Sequence, residues 1–312
     1  MRVAVFGPGA VGGYFGGRLA EAGESVVFIA RGRNLAALQR DGLRVSSILG
    51  DFTVASAEAT DDPALVGPVD VVLLGVKAWQ VPEAAIAMRP LLGPDSMVVP
   101  LQNGIEAADQ LRAVLGAKPV LGGLCRLLAW LEGPGHVRHA GLTPTIAFGE
   151  LDGSQSPRVE RLREVFRRAR GVTVETPRDI KTALWGKLMF IAAVGGVGAA
   201  TRAPAGVFRS LPETRELLAE VAREILALAR VSGSALGEES VAKILAAVDG
   251  LPETATSSMQ RDLLEGRPSE LAAQLGAVVR LARETGVPAP VASVLYASLL
   301  PLEKKARGEL AF

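Results

Sequence analysis

The chain has 312 residues, 49% of them hydrophobic, and a formal net charge of +1. That is material for about two buried cores and gives no electrostatic reason to expect nucleic acid or an acidic membrane surface as partner. A single cysteine, Cys125, excludes an internal disulfide and reads as buried packing; a strand starting at Arg2 leaves no room for a signal peptide, so a cytoplasmic protein is the simple expectation.

Arg2 to Phe6, RVAVF, is a short apolar run that reads as a buried strand, and Tyr14 to Glu21 reads as a helix ending near Gly23. Between them GPGAVGGYFGG, Gly7 to Gly17, places six glycines in eleven residues. Each glycine costs a regular element roughly 0.5–1 kcal/mol against alanine, so the cluster must supply something a side chain would prevent. Gly7, Gly9 and Gly12 form G-x-G-x-x-G at a strand-to-helix turn: the first permits the turn, the second lets backbone approach a pyrophosphate, the third lets helix and strand pack. A second strand is expected at Ser25 to Ala30 and a short helix at Leu35 to Gln39, with a hairpin around Gly50. Val69 to Val76 is a continuous apolar strand, Val81 to Met88 a helix, Met97 to Gln102 a strand and Ile105 to Leu115 a helix. This alternation predicts an α/β fold with a parallel doubly wound sheet. Further strands are expected at Pro119 to Gly123, His136 to His139, Thr145 to Phe148 and Val172 to Glu175, with a helix at Pro157 to Ala169. Beyond about Arg178 only helical periods remain, at Ile180 to Ala200, Glu213 to Ser232, Ser240 to Val248, Ser269 to Thr285 and Val291 to Lys305. Leu188 to Ala200 is too short and too rich in glycine to span a membrane and reads as a core helix. The expected division is therefore a dinucleotide-binding domain at 1–176 and an all-α domain at 177–312.

The second strand ends in FIARGRN, with Ala30 and then Arg31 and Arg33 where an NAD site carries an acidic residue for the ribose hydroxyl. Guanidinium groups suit a 2′-phosphate, which favours NADP(H), although solvated loop arginines are common in a chain with 27 Arg against 7 Lys. Lys77 and Asn103 follow two successive strands at the carboxyl ends, where ligands bind in open α/β sheets; from the residues alone they either face that crevice or satisfy loop carbonyls. Lys187 is the only charge between Ala183 and Ala200. An unpaired buried ammonium is costly, so it needs a cleft or a partner, and a desolvated lysine can exchange a proton near neutral pH. Glu270 follows Ser269, which could cap a helix, and alone it reads as a first-turn glutamate at the positive helix end. His136 and His139 fall on opposite faces of a strand and no cysteine or carboxylate cluster joins them, so no metal is assigned.

Taken in order, GPGAVG, VKAWQV at Val76 to Val81, QNG at Gln102 to Gly104, LWGKL at Leu184 to Leu188 and TSSMQRDL with a glutamate at Glu270 resemble the ketopantoate reductase family over nearly the whole chain. The resemblance implies a Rossmann domain, an all-α substrate and dimerisation domain, and NADPH-dependent reduction of 2-dehydropantoate in pantothenate synthesis. It implies Lys187 as general acid, with Asn103, Ser258 and Glu270 binding substrate. For the cofactor it implies Gly7, Pro8, Gly9, Ala10, Val11, Gly12, Arg31, Lys77, Asn103 and Glu270. The partner is then a small 2-oxo acid, with neither nucleic acid nor membrane, in a possible homodimer. Two family asparagines are missing: Ile191 stands four residues after the lysine, and Ala255 and Thr256 precede SSM. A reductase of another 2-oxo acid, or a non-catalytic NADP(H)-binding regulator, is the alternative.

Overall fold

In the computed structural model, which describes residues 1–312, the β-branched runs of the N-terminal half form strands and the longer amphipathic periods form helices. In chain order these are β1 (Arg2–Phe6), α1 (Ala10–Glu21), β2 (Ser25–Ile29), α2 (Gly32–Asp41), β3 (Leu43–Ser47), β4 (Phe52–Val54), β5 (Glu58–Thr60), β6 (Val69–Leu74), α3 (Val81–Ala87), β7 (Leu92–Pro100), α4 (Ala107–Leu115), β8 (Gly122–Gly133), β9 (His136–Gly149), α5 (Pro157–Arg168) and β10 (Thr173–Glu175). Helices follow without further strands: α6 (Ile180–Thr201), α7 (Ala205–Phe208), α8 (Pro212–Val231), α9 (Glu239–Asp249), α10 (Ser258–Leu264), α11 (Leu275–Thr285) and α12 (Pro290–Ala306).

The chain divides into two units, Met1–Gln102 with Ala107–Ile180, and Asn103–Glu106 with Lys181–Phe312. The expected boundary at 176 lies four residues before the end of the first unit. The tetrapeptide 103–106 was placed by sequence with the first half but packs with the helical unit.

Within the first unit a parallel sheet runs β5-β2-β1-β6-β7. Period-two alternation puts Val3 and Val5 of β1 on one face, with Phe15 and Leu19 of α1 and Leu162 and Phe166 of α5. Ala4 and Phe6 lie on the other, with Ala84 of α3 and Leu111 of α4. Two covered faces explain why these strands read as continuous apolar runs. The expected β3–β4 hairpin is present and belongs to a second sheet, ordered β10-β9-β3-β4 with β8 paired on β9. Here the sequence reading was too short: Pro119–Gly123 is not a strand of its own, β8 runs to Gly133, and the two segments expected at 136–139 and 145–148 are one strand, β9. Ten cross-strand pairs hold this ribbon in register, a tertiary restraint that local propensity does not carry.

In the second unit α6 is the central helix. Its Trp185, Leu188, Met189, Ala192 and Val197 are buried against residues of α8, α11 and α12. It is long and apolar enough to cross a membrane by length and composition, but most of it is buried inside this core.

Candidate functional site

In the first unit β1 ends at Phe6 and the chain turns at Gly7, whose φ is +86°. A Cβ there would lie 2.6 Å from Val76 Cγ1, and one on Gly12 would lie 2.5 Å from the Gly7 carbonyl oxygen, so both positions are closed to side chains by the protein itself. Gly75, directly after β6, completes the contact: its Cβ would meet the same oxygen at 2.7 Å. Gly9 differs. It stands at the N-cap of α1 and a Cβ on it would meet nothing within 4 Å. No side chain caps this helix, so the first N–H groups, beginning with Ala10, Val11 and Gly12, open onto the space over Gly9 with the positive end of the helix dipole behind them. A pyrophosphate fits this donor set.

Neighbouring side chains hold the cradle. Asn34 donates from Nδ2 to the Pro8 carbonyl at 3.0 Å and accepts from the Gly135 N–H at 2.8 Å. Gln102, at the end of β7, donates from Nε2 to the carbonyls of Leu74 and Val76 at 2.8 and 2.9 Å, tying the ends of two parallel strands together. Arg31 follows buried Ala30 and stands at the N-cap position of α2 without a side-chain capping bond; its Nη1 donates to Glu83 at 2.9 Å, with both side chains 67% exposed. Lys77 is exposed directly beyond β6, with Nζ 5.8 Å from the Trp79 ring centroid.

In the second unit Asn103 and Glu270, 167 residues apart in sequence, meet: Asn103 Nδ2 donates to Glu270 Oε2 at 2.8 Å. Glu270 is only 7% exposed. The tetrapeptide that carries Asn103 is anchored further by Glu106, which receives Arg280 through two hydrogen bonds of 3.0 and 2.7 Å. Sequence placed Glu270 in the first turn of a helix beginning at Ser269; the helix α11 begins instead at Leu275, and Glu270 sits in the turn before it. The Ser269 hydroxyl oxygen accepts only the Leu271 N–H two residues on, closing a short turn, while Glu303, 34 residues away, takes its N–H and hydroxyl proton and fixes that turn outside the helix.

Lys187 is half-buried on α6, and Ile191, Gly195 and Gly198 continue its stripe at intervals of four, four and three residues. The glycines let α10 approach closely: a Cβ on Gly195 would lie 2.9 Å from Met259 Cε and 3.4 Å from both Ser257 Oγ and Gln274 Oε1. Ser257 caps α10 by accepting from the Gln260 N–H at 3.0 Å. Its neighbour Ser258 is exposed and has no part in the cap. Gln274, 2% exposed and one turn beyond Glu270, went unremarked in the sequence, as did Gly75, Asn34 and Glu303, while Gln102 entered only as the first residue of QNG, with no role given. Only Gly75 carried a local signal, a glycine at the end of an apolar strand. His136 and His139 bond to Ser46 and Ser47 respectively, adjacent residues of β3, so the two rings lie on opposite faces; no group of metal-ligating side chains is present.

Residues 3–153 match the model of ketopantoate reductase PanE/ApbA, and residues 179–303 match that of its C-terminal part. The chain belongs to the ketopantoate reductase family. Among relatives of this oxidoreductase family, the uncharacterized oxidoreductase YkpB of Bacillus subtilis is 30% identical over 309 residues, covering 96% of this chain and 98% of that protein. The crystal structure of 2-dehydropantoate 2-reductase from Geobacter metallireducens superposes with a TM-score of 0.90 at 32% identity, covering 98% of this chain and all of that one. D-mandelate dehydrogenase, solved with NADH and anilino(oxo)acetate, has a TM-score of 0.90 at 21% identity over 98% of this chain and all of that one, a likeness of fold.

Proposed function

We propose that this protein reduces the 2-keto group of a small 2-oxo acid with NADPH, with 2-dehydropantoate as the first substrate to test. The observation that carries this reading is the Asn103–Glu270 hydrogen bond, which joins two residues singled out separately by sequence, within the unit that also holds Lys187 and Ser258. A nicotinamide dinucleotide, when bound, supplies the hydride. The N–H groups of the Gly7 to Gly12 turn hold its pyrophosphate, and Arg31 receives the 2′-phosphate by exchanging its exposed partner Glu83. Lys77 lies at the carboxyl end of β6, the position from which a side chain reaches a nicotinamide or its substrate in this topology. Addition of hydride to a carbonyl carbon leaves negative charge on oxygen. Lys187 neutralises it by donating a proton from Nζ and, being half-buried, regains one from water. Glu270, oriented by Asn103, accepts a hydrogen bond from a substrate hydroxyl, and Ser258 donates one. A steady-state screen of several 2-oxo acids with NADPH and NADH tests the reading, and absence of turnover with all of them would overturn it.

Ile191 favours a second substrate within the same reaction. It packs against the helical core one turn from Lys187 and offers a branched apolar surface there. A hydrogen bond missing to a charged substrate group is worth about 1.5–3 kcal/mol. Ile191→Asn is accordingly expected to raise kcat/KM for 2-dehydropantoate by about tenfold or more. A wild type that prefers a more apolar 2-oxo acid fits this second reading; efficient wild-type turnover of 2-dehydropantoate with a poorer variant would make Ile191 a packing residue only.

A further inference from the structure

Glu303 lies on α12 and is 3% exposed, yet three donors converge on its carboxylate. The Ser269 N–H reaches its two oxygens at 3.2 and 3.0 Å, the Ser269 hydroxyl donates at 2.5 Å, and Arg307 donates from Nε at 2.6 Å. Arg307 also donates from Nη2 to the Ser269 carbonyl at 3.1 Å, and the Ser269 hydroxyl oxygen accepts from the Leu271 N–H at 3.2 Å. Every polar group of Ser269 is thereby held. On the far side, the Glu270 carbonyl receives the N–H groups of Ala273 and Gln274 at 3.1 and 3.0 Å. The residue fixed between these two sets of bonds is Glu270, whose carboxylate meets Asn103.

Packing alone does not call for this arrangement. A buried carboxylate is costly unless all its lone pairs are used, and an apolar side chain would fill the same volume without that cost. The polar cluster is spent instead on the backbone of one non-helical turn, and that turn presents a single ionisable side chain to the site.

We infer that Glu303 is a positioning residue: acting through Ser269, with Arg307 behind it, it holds the backbone of Glu270 so that the Glu270 carboxylate faces Asn103 and the bound 2-oxo acid. The inference rests on the function proposed above for its substrate, and on geometry alone for the positioning. Glu303→Gln keeps the shape but presents an N–H₂ group to a site filled with donors.

Full-length wild type, Glu303→Gln, Glu270→Ala and the double variant are compared with the best 2-oxo acid from the screen. Glu303→Gln is expected to lower kcat/KM by about tenfold, mainly through KM, and to cause no further loss in the Glu270→Ala background, because its effect passes through that side chain. Equal losses in the two backgrounds would overturn the inference. Ser269→Ala, which removes only the hydroxyl, gives the same test with a loss of about threefold if Glu303→Gln fails to fold. A crystal structure of either variant reads the positioning without any turnover. Loss of the Asn103–Glu270 bond supports it even if the protein reduces no 2-oxo acid and the functional reading falls, whereas an unmoved Glu270 carboxylate in both variants overturns it whatever the substrate.

Discussion

Lys187 is the only cation in the apolar stretch from Ala183 to Ala200, and it is half-buried. If its Nζ is the proton donor, Lys187→Ala lowers kcat by about 10²–10⁴ while NADPH affinity stays within about twofold. A folded variant with wild-type kcat would remove the lysine from the chemistry. At the cofactor end, Arg31 is shared between its ion pair with Glu83 and the proposed phosphate. An exposed pair contributes only about 0–1 kcal/mol, so Glu83→Gln should tighten NADPH slightly, whereas Arg31→Ala should reduce preference for NADPH over NADH by about tenfold, mainly through KM. Equal kcat/KM for both cofactors in the wild type would refute the assignment. At this scale the sequence discloses what local spacing dictates. Gly7 and Gly12 were legible because a turn and a helix contact each demand glycine at a fixed offset, and the spacing drew Gly9, which has open space above it, into the same pattern. Glu303 was not, because its partner Ser269 lies 34 residues away and a glutamate on a helix ordinarily faces water.

The strand-turn-helix of β1 and α1 separates two uses of glycine that look alike in sequence. A methyl group on Gly12 would collide with the Gly7 carbonyl, so Gly12→Ala is expected to destabilise the fold and lower Tm. On Gly9 the same methyl touches nothing in the protein; Gly9→Ala should melt within about 2 °C of wild type but bind NADPH about tenfold more weakly or worse. Thermal melts alongside fluorescence titrations check both, and a Gly9→Ala protein with undiminished affinity would mean that no phosphate sits over that residue. Element types were legible wherever one pattern ran unbroken, as in the apolar run of β6 and the helical period of α8. The β8–β9 ribbon was read as fragments because its length comes from pairing, and α11 was begun too early because Ser269 looks locally like a cap. Both errors arise where a long-range hydrogen bond outweighs local preference.

Across the whole molecule two carboxyls, one in each unit, titrate in opposite senses. In the first unit burial pushes the Glu150 carboxyl up, but hydrogen bonds from Arg158, at 2.6 Å, and from Ser156 outweigh it and leave the carboxyl below its ordinary range. Its stabilising contribution is present above about pH 4.5 and is lost as pH falls through the depressed value. In the second unit burial is the largest influence on Glu224 and raises it, against the N–H groups of Val291 and Ala292 at 2.7 and 2.8 Å. Its contribution is complete below about pH 4.5 and is lost as pH rises through the raised value. Glu150→Gln should therefore lower Tm by about 2–4 °C at pH 7, with the gap from wild type closing as the pH drops below 4. A gap that stays constant over that range would show that the ion pair does not set the acid limb. The path of the chain also bears on inheritance. Residues 103–106 belong with the helical unit although they are encoded in the middle of the other one. A crossover at residue 180 between two relatives would therefore deliver the Glu270 carboxylate from one parent and its Asn103 amide from the other. Chimaeras that take both segments from a single parent are expected to outnumber the rest among functional recombinants, so the two stretches should be inherited as a linked pair despite the 74 residues, 107–180, that separate them.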